Sequence, residues 1–170
     1  MPNQKTEKPT PTYLTPGCAR KLRAELKEIL YQLRPEMVKT AAWAASNGDR
    51  SENADYHYAK RKLRQYDGRI RFLTKRLEEA TIVDPVEQQK IANGRVLFGG
   101  TVTVENEAGE EKVFSIVGAD ELDASRGYIS WVSPIGRALL GSKVGDTVSF
   151  MTPGGLTELE IISVEYKTLE

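Results

Sequence analysis

The chain is predicted to be α+β and built in two parts. An antiparallel α-helical coiled-coil hairpin comes first, followed by a compact, mostly antiparallel β domain with one short helix. Three observations predict this. Tyr56, Ala59, Leu63, Tyr66, Ile70, Leu73, Leu77 and Ala80 are spaced 3, 4, 3, 4, 3, 4, 3, a coiled-coil seam more than three heptads long. An earlier apolar run (Leu22, Leu26, Ile29, Leu33) continues through Met37, Val38 and Ala41 and stops at Asn47-Gly48. So short a connection makes the two helices antiparallel neighbours. After Asp84-Pro85 the apolar period drops to that of strands, and glycine-rich turns separate the runs.

Residues 1–13 are rich in Pro, Lys and Thr and poor in apolar residues; they read as a disordered lead-in. Thr15-Pro16 opens the first helix, as an N-cap followed by proline at the first helical position. Pro35 has no N–H to give, so a kink or local fraying is expected there. The hairpin occupies residues 14–82, with about 30 residues and roughly 45 Å per arm at 1.5 Å per residue. Residues 83–93 read as a linker and residues 94–170 as the second domain. Its strands are expected near 95–104, 112–118, 127–132, 145–151 and 156–166, with turns at Ala108-Gly109 and Pro153-Gly154-Gly155. Ser133-Pro134 should start its short helix, with Leu139-Leu140 inward and Gly141 as the stop.

Composition narrows the function classes. The 24 basic and 24 acidic residues cancel over the chain. They do not cancel locally: residues 1–90 hold 18 Lys/Arg and 12 Asp/Glu, and residues 91–170 hold 6 and 12. About +6 is followed by about −6, a split that suggests an anionic partner for the first half. A single cysteine, Cys18, excludes an internal disulfide and a cysteine-based metal cluster and suits a reducing compartment. With no long apolar run and no leader-type segment, the expectation is a soluble cytoplasmic protein that does not engage a membrane.

The segment 46-SNGDRSENADYHYAKRKLR-64 concentrates the chemistry. Asp49, Glu52 and Asp55 stand within seven residues, and a basic rod follows at once. From Lys60 to Arg76 there are eight basic residues (Lys60, Arg61, Lys62, Arg64, Arg69, Arg71, Lys75, Arg76) and one acid, Asp67. None lies on the seam, and few acids interleave for i,i+4 pairing, so an exposed face against a phosphate backbone is expected. Asp49 and Glu52 admit two readings. As N-cap and capping-box acid they would simply start the second helix. Alternatively, carboxylates three residues apart make a sparse, hard site suited to Mg²⁺ shared with another ligand set. Tyr56 and Tyr66 fall on the seam, whereas Tyr58 lies off it and is placed to stack on a base. His57 stands alone as a surface or capping residue.

The tip 48-GDRSENADY-56 resembles the hairpin-tip signature of the bacterial Gre transcript-cleavage factors. 127-GYISWVSPIGRALLGSKVGD-146 and the TPGG at 152–155 resemble their C-terminal domain, so the likeness runs from about Leu14 to Tyr166. The Asp-Arg-Ser-Glu-Asn order and the dense basic stem resemble the GreB type. The resemblance implies an FKBP-like second domain that docks on bacterial RNA polymerase at the rim of its secondary channel, while the coiled coil enters the channel. It implies that Asp49 and Glu52 help hold a second Mg²⁺ beside the polymerase's own metal, where water cleaves the 3′ segment of backtracked nascent RNA. Catalysis is then borrowed: the chain is no enzyme by itself, is a monomer, and holds no Mg²⁺ when free. By the same resemblance Gly48, Ser51, Asn53 and Tyr56 support the tip. Lys60, Arg61, Lys62, Arg64, Arg69 and Arg71 form the RNA-binding stem, and Ser133, Pro134 and Arg137 dock on polymerase. Val132 departs from the polar residue often found at its position in relatives.

Three other readings compete. A Gre-like binder would occupy the channel and inhibit without cleavage, but inhibitory relatives carry a rearranged, more acidic tip. A prolyl isomerase would share the fold of the second domain, yet fold does not carry function; it needs an aromatic-lined pocket, whereas Trp131, Phe114, Tyr128 and Phe150 serve equally as core. A structural coiled-coil adaptor, with Trp43 as a contact, leaves the charge separation unexplained.

Overall fold

A computed structural model describes residues 9–48 and 53–170. The described residues form two compact units. One comprises Ala19–Glu79; the other comprises the chain up to Cys18 together with Ala80–Glu170.

The helical unit is the expected hairpin. Its first arm runs through α1 (Pro16–Glu28), a π-helical turn (Ile29–Leu33) and α2 (Arg34–Ala45); its second arm is α3 (Ala54–Glu79). The expected kink or fraying at Pro35 is replaced by that π turn, in which the Arg34 N–H donates to the Ile29 carbonyl. The apolar pattern explains the substitution. From Ile29 to Ala44, both buried, is one residue more than two heptads. A wide turn absorbs the surplus residue and keeps the seam facing its partner. Proline just inside α2 costs little there, because its missing N–H falls where the regular ladder is already interrupted. On α3 the seam residues Ala59 and Leu73 are fully buried. Ala41, Ala44 and Ala59 are all buried, and such small side chains let α2 and α3 approach closely at that end.

Two ion pairs cross between the arms. The Arg34 Nε donates to Asp67 Oδ1 at 2.8 Å. The Arg69 guanidinium meets Glu25 in a bidentate pair, Nε to Oε1 at 2.7 Å and Nη2 to Oε2 at 2.9 Å. Both carboxyls are held below their ordinary range, chiefly by those guanidinium hydrogen bonds.

The β unit begins earlier and ends the hairpin sooner than the sequence suggests. Residues 12 and 13, expected in the disordered lead-in, are ordered: β1 (Tyr13–Leu14) pairs in parallel with β2 (Thr81–Ile82). The Thr81 N–H donates to the Thr12 carbonyl at 2.9 Å, and the Val83 N–H to the Leu14 carbonyl at 2.8 Å. Tyr13 packs edgewise on Trp131, with ring centroids 5.0 Å apart. Thr15 caps α1 as expected, its Oγ1 accepting from the Cys18 N–H at 3.2 Å. The Glu121 carboxylate accepts from the Thr15 hydroxyl, the Thr15 N–H (3.2 Å) and the Gly118 N–H (3.1 Å). These bonds satisfy the polar groups of a threonine with no exposed surface.

Residues 83–93 are not a bare linker. They contain α4 (Pro85–Ala92), with Asp84 Oδ1 accepting from the Val86 N–H at 3.0 Å and Asn93 left-handed at φ 51° as its stop. The expected strand 95–104 is also divided. Gly99, at φ 84°, turns the chain, and only β3 (Thr101–Glu105) enters the sheet. The other strands are β4 (Glu111–Val117), β5 (Tyr128–Ser130), β6 (Thr147–Thr152) and β7 (Gly155–Glu165), in spatial order β5-β4-β3-β7-β6. All pairings are antiparallel except β4–β5, and a bulge interrupts β3–β7 after Thr103. Alternate residues of one face (Val102, Val104, Ile116, Val148, Leu159, Ile161) pack with Leu139 of α5 (Pro134–Leu139) to form the core. No described helix is long and apolar enough to cross a membrane.

Candidate functional site: the hairpin tip and its basic stem

Asp49, Ser51 and Glu52 lie outside the described residues; the structure defines what surrounds them in the chain. On the upstream side α2 ends at Ala45, and Gly48 adopts φ 132° with no atom within 4 Å of the place a Cβ would take. The glycine therefore answers to backbone geometry, not to crowding. On the downstream side α3 begins at Ala54. Its cap is Asn53, whose Oδ1 accepts from the Tyr56 N–H at 3.0 Å, the N-cap to N3 bond that starts a helix. The Asn53 Nδ2 donates to the Ala44 carbonyl at the end of α2.

This geometry separates the two readings of the acidic pair. The capping position belongs to Asn53, so the start of α3 does not require Asp49 or a capping box closed by Glu52. Tyr56 is half-buried on the seam, and its ring meets His57 edge-on at 5.6 Å.

The basic residues divide by helix geometry. At about 100° per residue, Lys60, Arg64, Arg71 and Lys75 fall within an arc of roughly 60°, well away from the seam, with Arg61 at its flank. All five are exposed. Lys62 is half-buried, with its Nζ 6.0 Å from the Tyr66 ring centroid. Arg69 is committed to Glu25 and lies 5.0 Å over the Phe72 ring. The six residues read as one stem thus divide into an outward stripe of four (Lys60, Arg61, Arg64, Arg71) and two engaged within the hairpin. Asp67, the acid among them, is neutralised across the hairpin by Arg34. Because these partners sit on the other arm, no local spacing rule identifies them.

In the β unit, Ser133 starts α5: its Oγ accepts from the Gly136 N–H at 3.1 Å and donates to the Ser130 carbonyl at 2.6 Å. Pro134 and Arg137 are exposed on the same short helix. Gly136 is a residue the sequence reading missed. A Cβ there would come 2.2 Å from the Ser130 carbonyl oxygen, so only glycine lets α5 sit against β5. A cavity of about 270 Å³ beside α5 is lined by Phe114, Phe150, Ile135 and Leu159, with Glu110 and Lys112 at its rim. Neither Trp131 nor Tyr128 lines it, so the aromatic enclosure an isomerase site requires is only half assembled.

Comparison with known proteins bears on the whole chain. The profile described as "Transcription elongation factor, N-terminal" matches residues 12–82, and "Transcription elongation factor, GreA/GreB, C-term" matches residues 91–166. The transcription elongation factor GreB of Neisseria meningitidis serogroup B is 48% identical over 157 residues, covering 92% of this chain and 95% of that protein. That of Vibrio vulnificus is 52% identical over 147 residues, covering 86% and 90%. Among solved structures, the GreA/GreB factor of Nitrosomonas europaea aligns over 91% of this chain and 99% of its own at 24% identity, with a TM-score of 0.41. The sequence matches alone, spanning both units, place the chain in the GreA/GreB family of transcription elongation factors.

Proposed function

We propose that this protein enters the secondary channel of bacterial RNA polymerase and stimulates Mg²⁺-dependent cleavage of backtracked nascent RNA, contributing carboxylates to a site that the polymerase completes. The observation that carries this reading is the cap: with Asn53 starting α3, the acidic pair Asp49 and Glu52 is left for another use.

The donor set fits Mg²⁺. Two carboxylates three residues apart supply hard oxygens but too few for an octahedral ion, so the remaining ligands come from water, RNA phosphate and the partner. Asp49 and Glu52 would hold the ion; when bound, it supplies charge neutralisation at the scissile phosphate and lowers the pKa of a coordinated water. The chain's other residues bind and orient. Lys60, Arg61, Arg64 and Arg71 present a cationic stripe along which an extruded RNA 3′ segment can lie. The Ser133-Pro134 turn and Arg137 offer a rigid, exposed surface for docking on polymerase, fixed from beneath by Gly136.

Cleavage of end-labelled RNA in a defined backtracked polymerase complex tests the reading, comparing wild type with Asp49→Asn and Glu52→Gln. Rapid shortening by wild type alone, with all three proteins competing equally for polymerase, is the expected result. Binding without stimulation by wild type would leave a channel-occupying inhibitor. Equal loss of binding in the variants would return the acids to a structural role.

A further inference from the structure

We propose that Asn53 is the positioning residue of the tip: its side chain straps the end of α2 to the start of α3 and thereby sets the separation of the two chain ends between which Asp49 and Glu52 are carried. The catalytic consequence rests on the function proposed above; the strap itself rests on geometry alone.

A helix cap needs only an acceptor, and serine, threonine or aspartate provide one as well as asparagine does. Asparagine adds two N–H donors on the same short side chain. Here both halves of the amide are used: Oδ1 takes the Tyr56 N–H, and Nδ2 reaches the Ala44 carbonyl nine residues back. That carbonyl belongs to the last turn of α2, where the regular ladder has run out of donors, and it also accepts from the Asn47 N–H at 3.2 Å. Ala44 is fully buried and Asn53 half-buried, so the strap is partly shielded from water and its loss leaves a carbonyl short of a partner. Buried Ala41, Ala44 and Ala59 bring the helices close enough for one short side chain to span them. Loop ends fixed in this way restrict the geometries open to the intervening carboxylates. A metal site of only two protein ligands depends strongly on such restriction, because it must meet a second ligand set in register.

The discriminating substitution is Asn53→Ser, which keeps the cap and removes the reach to Ala44; Asn53→Ala removes both. Two readouts are needed, one on the free protein. Tryptic cleavage after Arg50, followed by fragment mass, should accelerate about fivefold to tenfold in Asn53→Ser, the weight of one net hydrogen bond. Tyr56 amide exchange should stay slow in Asn53→Ser and quicken in Asn53→Ala. In the cleavage assay the Mg²⁺ concentration giving half-maximal rate should rise several-fold for Asn53→Ser, with competition for polymerase unchanged. Wild-type tryptic cleavage in Asn53→Ser would overturn the strap. Faster tryptic cleavage with an unchanged Mg²⁺ dependence would overturn the positioning role. If wild type fails to stimulate cleavage at all, the function falls while the tryptic rate still decides the strap.

Discussion

Replacing Lys60, Arg64 and Arg71 together by glutamine removes three charges from the exposed stripe while touching none of the ion pairs that join the arms. If each meets one RNA phosphate, the slope of log rate against log salt should flatten by about 2, at about 0.7 per single-strand contact. Capture of a backtracked complex would then weaken by about two decades near 0.1 M salt relative to the 1 M limit, where both proteins converge. The control is Arg69→Gln. Its guanidinium is held by Glu25 at 2.7 and 2.9 Å, so its loss should lower hairpin stability by about 0.5 kcal/mol, an exposed pair being largely screened, and leave the slope unchanged. The assay is the second-order rate of RNA cleavage at subsaturating protein over a salt series, beside thermal melts of each variant. Equal slopes for wild type and the triple variant would refute the stripe as an RNA contact. A slope change from Arg69→Gln as large as one residue of the triple would refute the division of the stem.

Leu73→Ala deletes a side chain with no exposed surface from the seam and should cost about 2–4 kcal/mol, read as an earlier helical melt with the β unit unchanged; an unshifted melt would mean the seam does not hold the arms together. Gly136→Ala forces a Cβ to within 2.2 Å of the Ser130 carbonyl and should weaken competition for polymerase more than Pro134→Ala does, at about 1–3 kcal/mol of stability; tolerance of both would remove this surface from docking. Asp67 and Glu25 have folded-state pKa values below their ordinary ones through Arg34 and Arg69. Their contribution is therefore complete above the unfolded pKa values and lost as pH falls through the folded ones. Hairpin melting should drop in acid below about pH 4, and Asp67→Asn with Glu25→Gln should flatten that drop; an unaltered acid profile would mean neither pair stabilises the fold.

Features set by neighbouring residues were legible in the sequence. The 3-4 spacing of Tyr56 to Leu77 makes α3 amphipathic whatever surrounds it. Thr15-Pro16 and Ser133-Pro134 cap helices because the bond each needs lies within a few residues, and Gly109 and Gly155 turn the chain through their own freedom at positive φ. The acidic and basic segments were visible as charge, and the tip signature was enough to suggest the family. Tertiary contact decided the rest. Asn53, and not Asp49, caps α3, and what makes it more than a cap is the Ala44 carbonyl at the end of the other helix. Arg69 left the stripe because Glu25 faces it from 44 residues away. Tyr13 became a strand because residues 81–83 return beside it. Residues 85–92 formed a helix that their weak periodicity hid, between an Asp-Pro start and an Asn-Gly stop. Each of these outcomes turned on a hydrogen-bonding group finding a partner that chain topology, not local spacing, brings within reach.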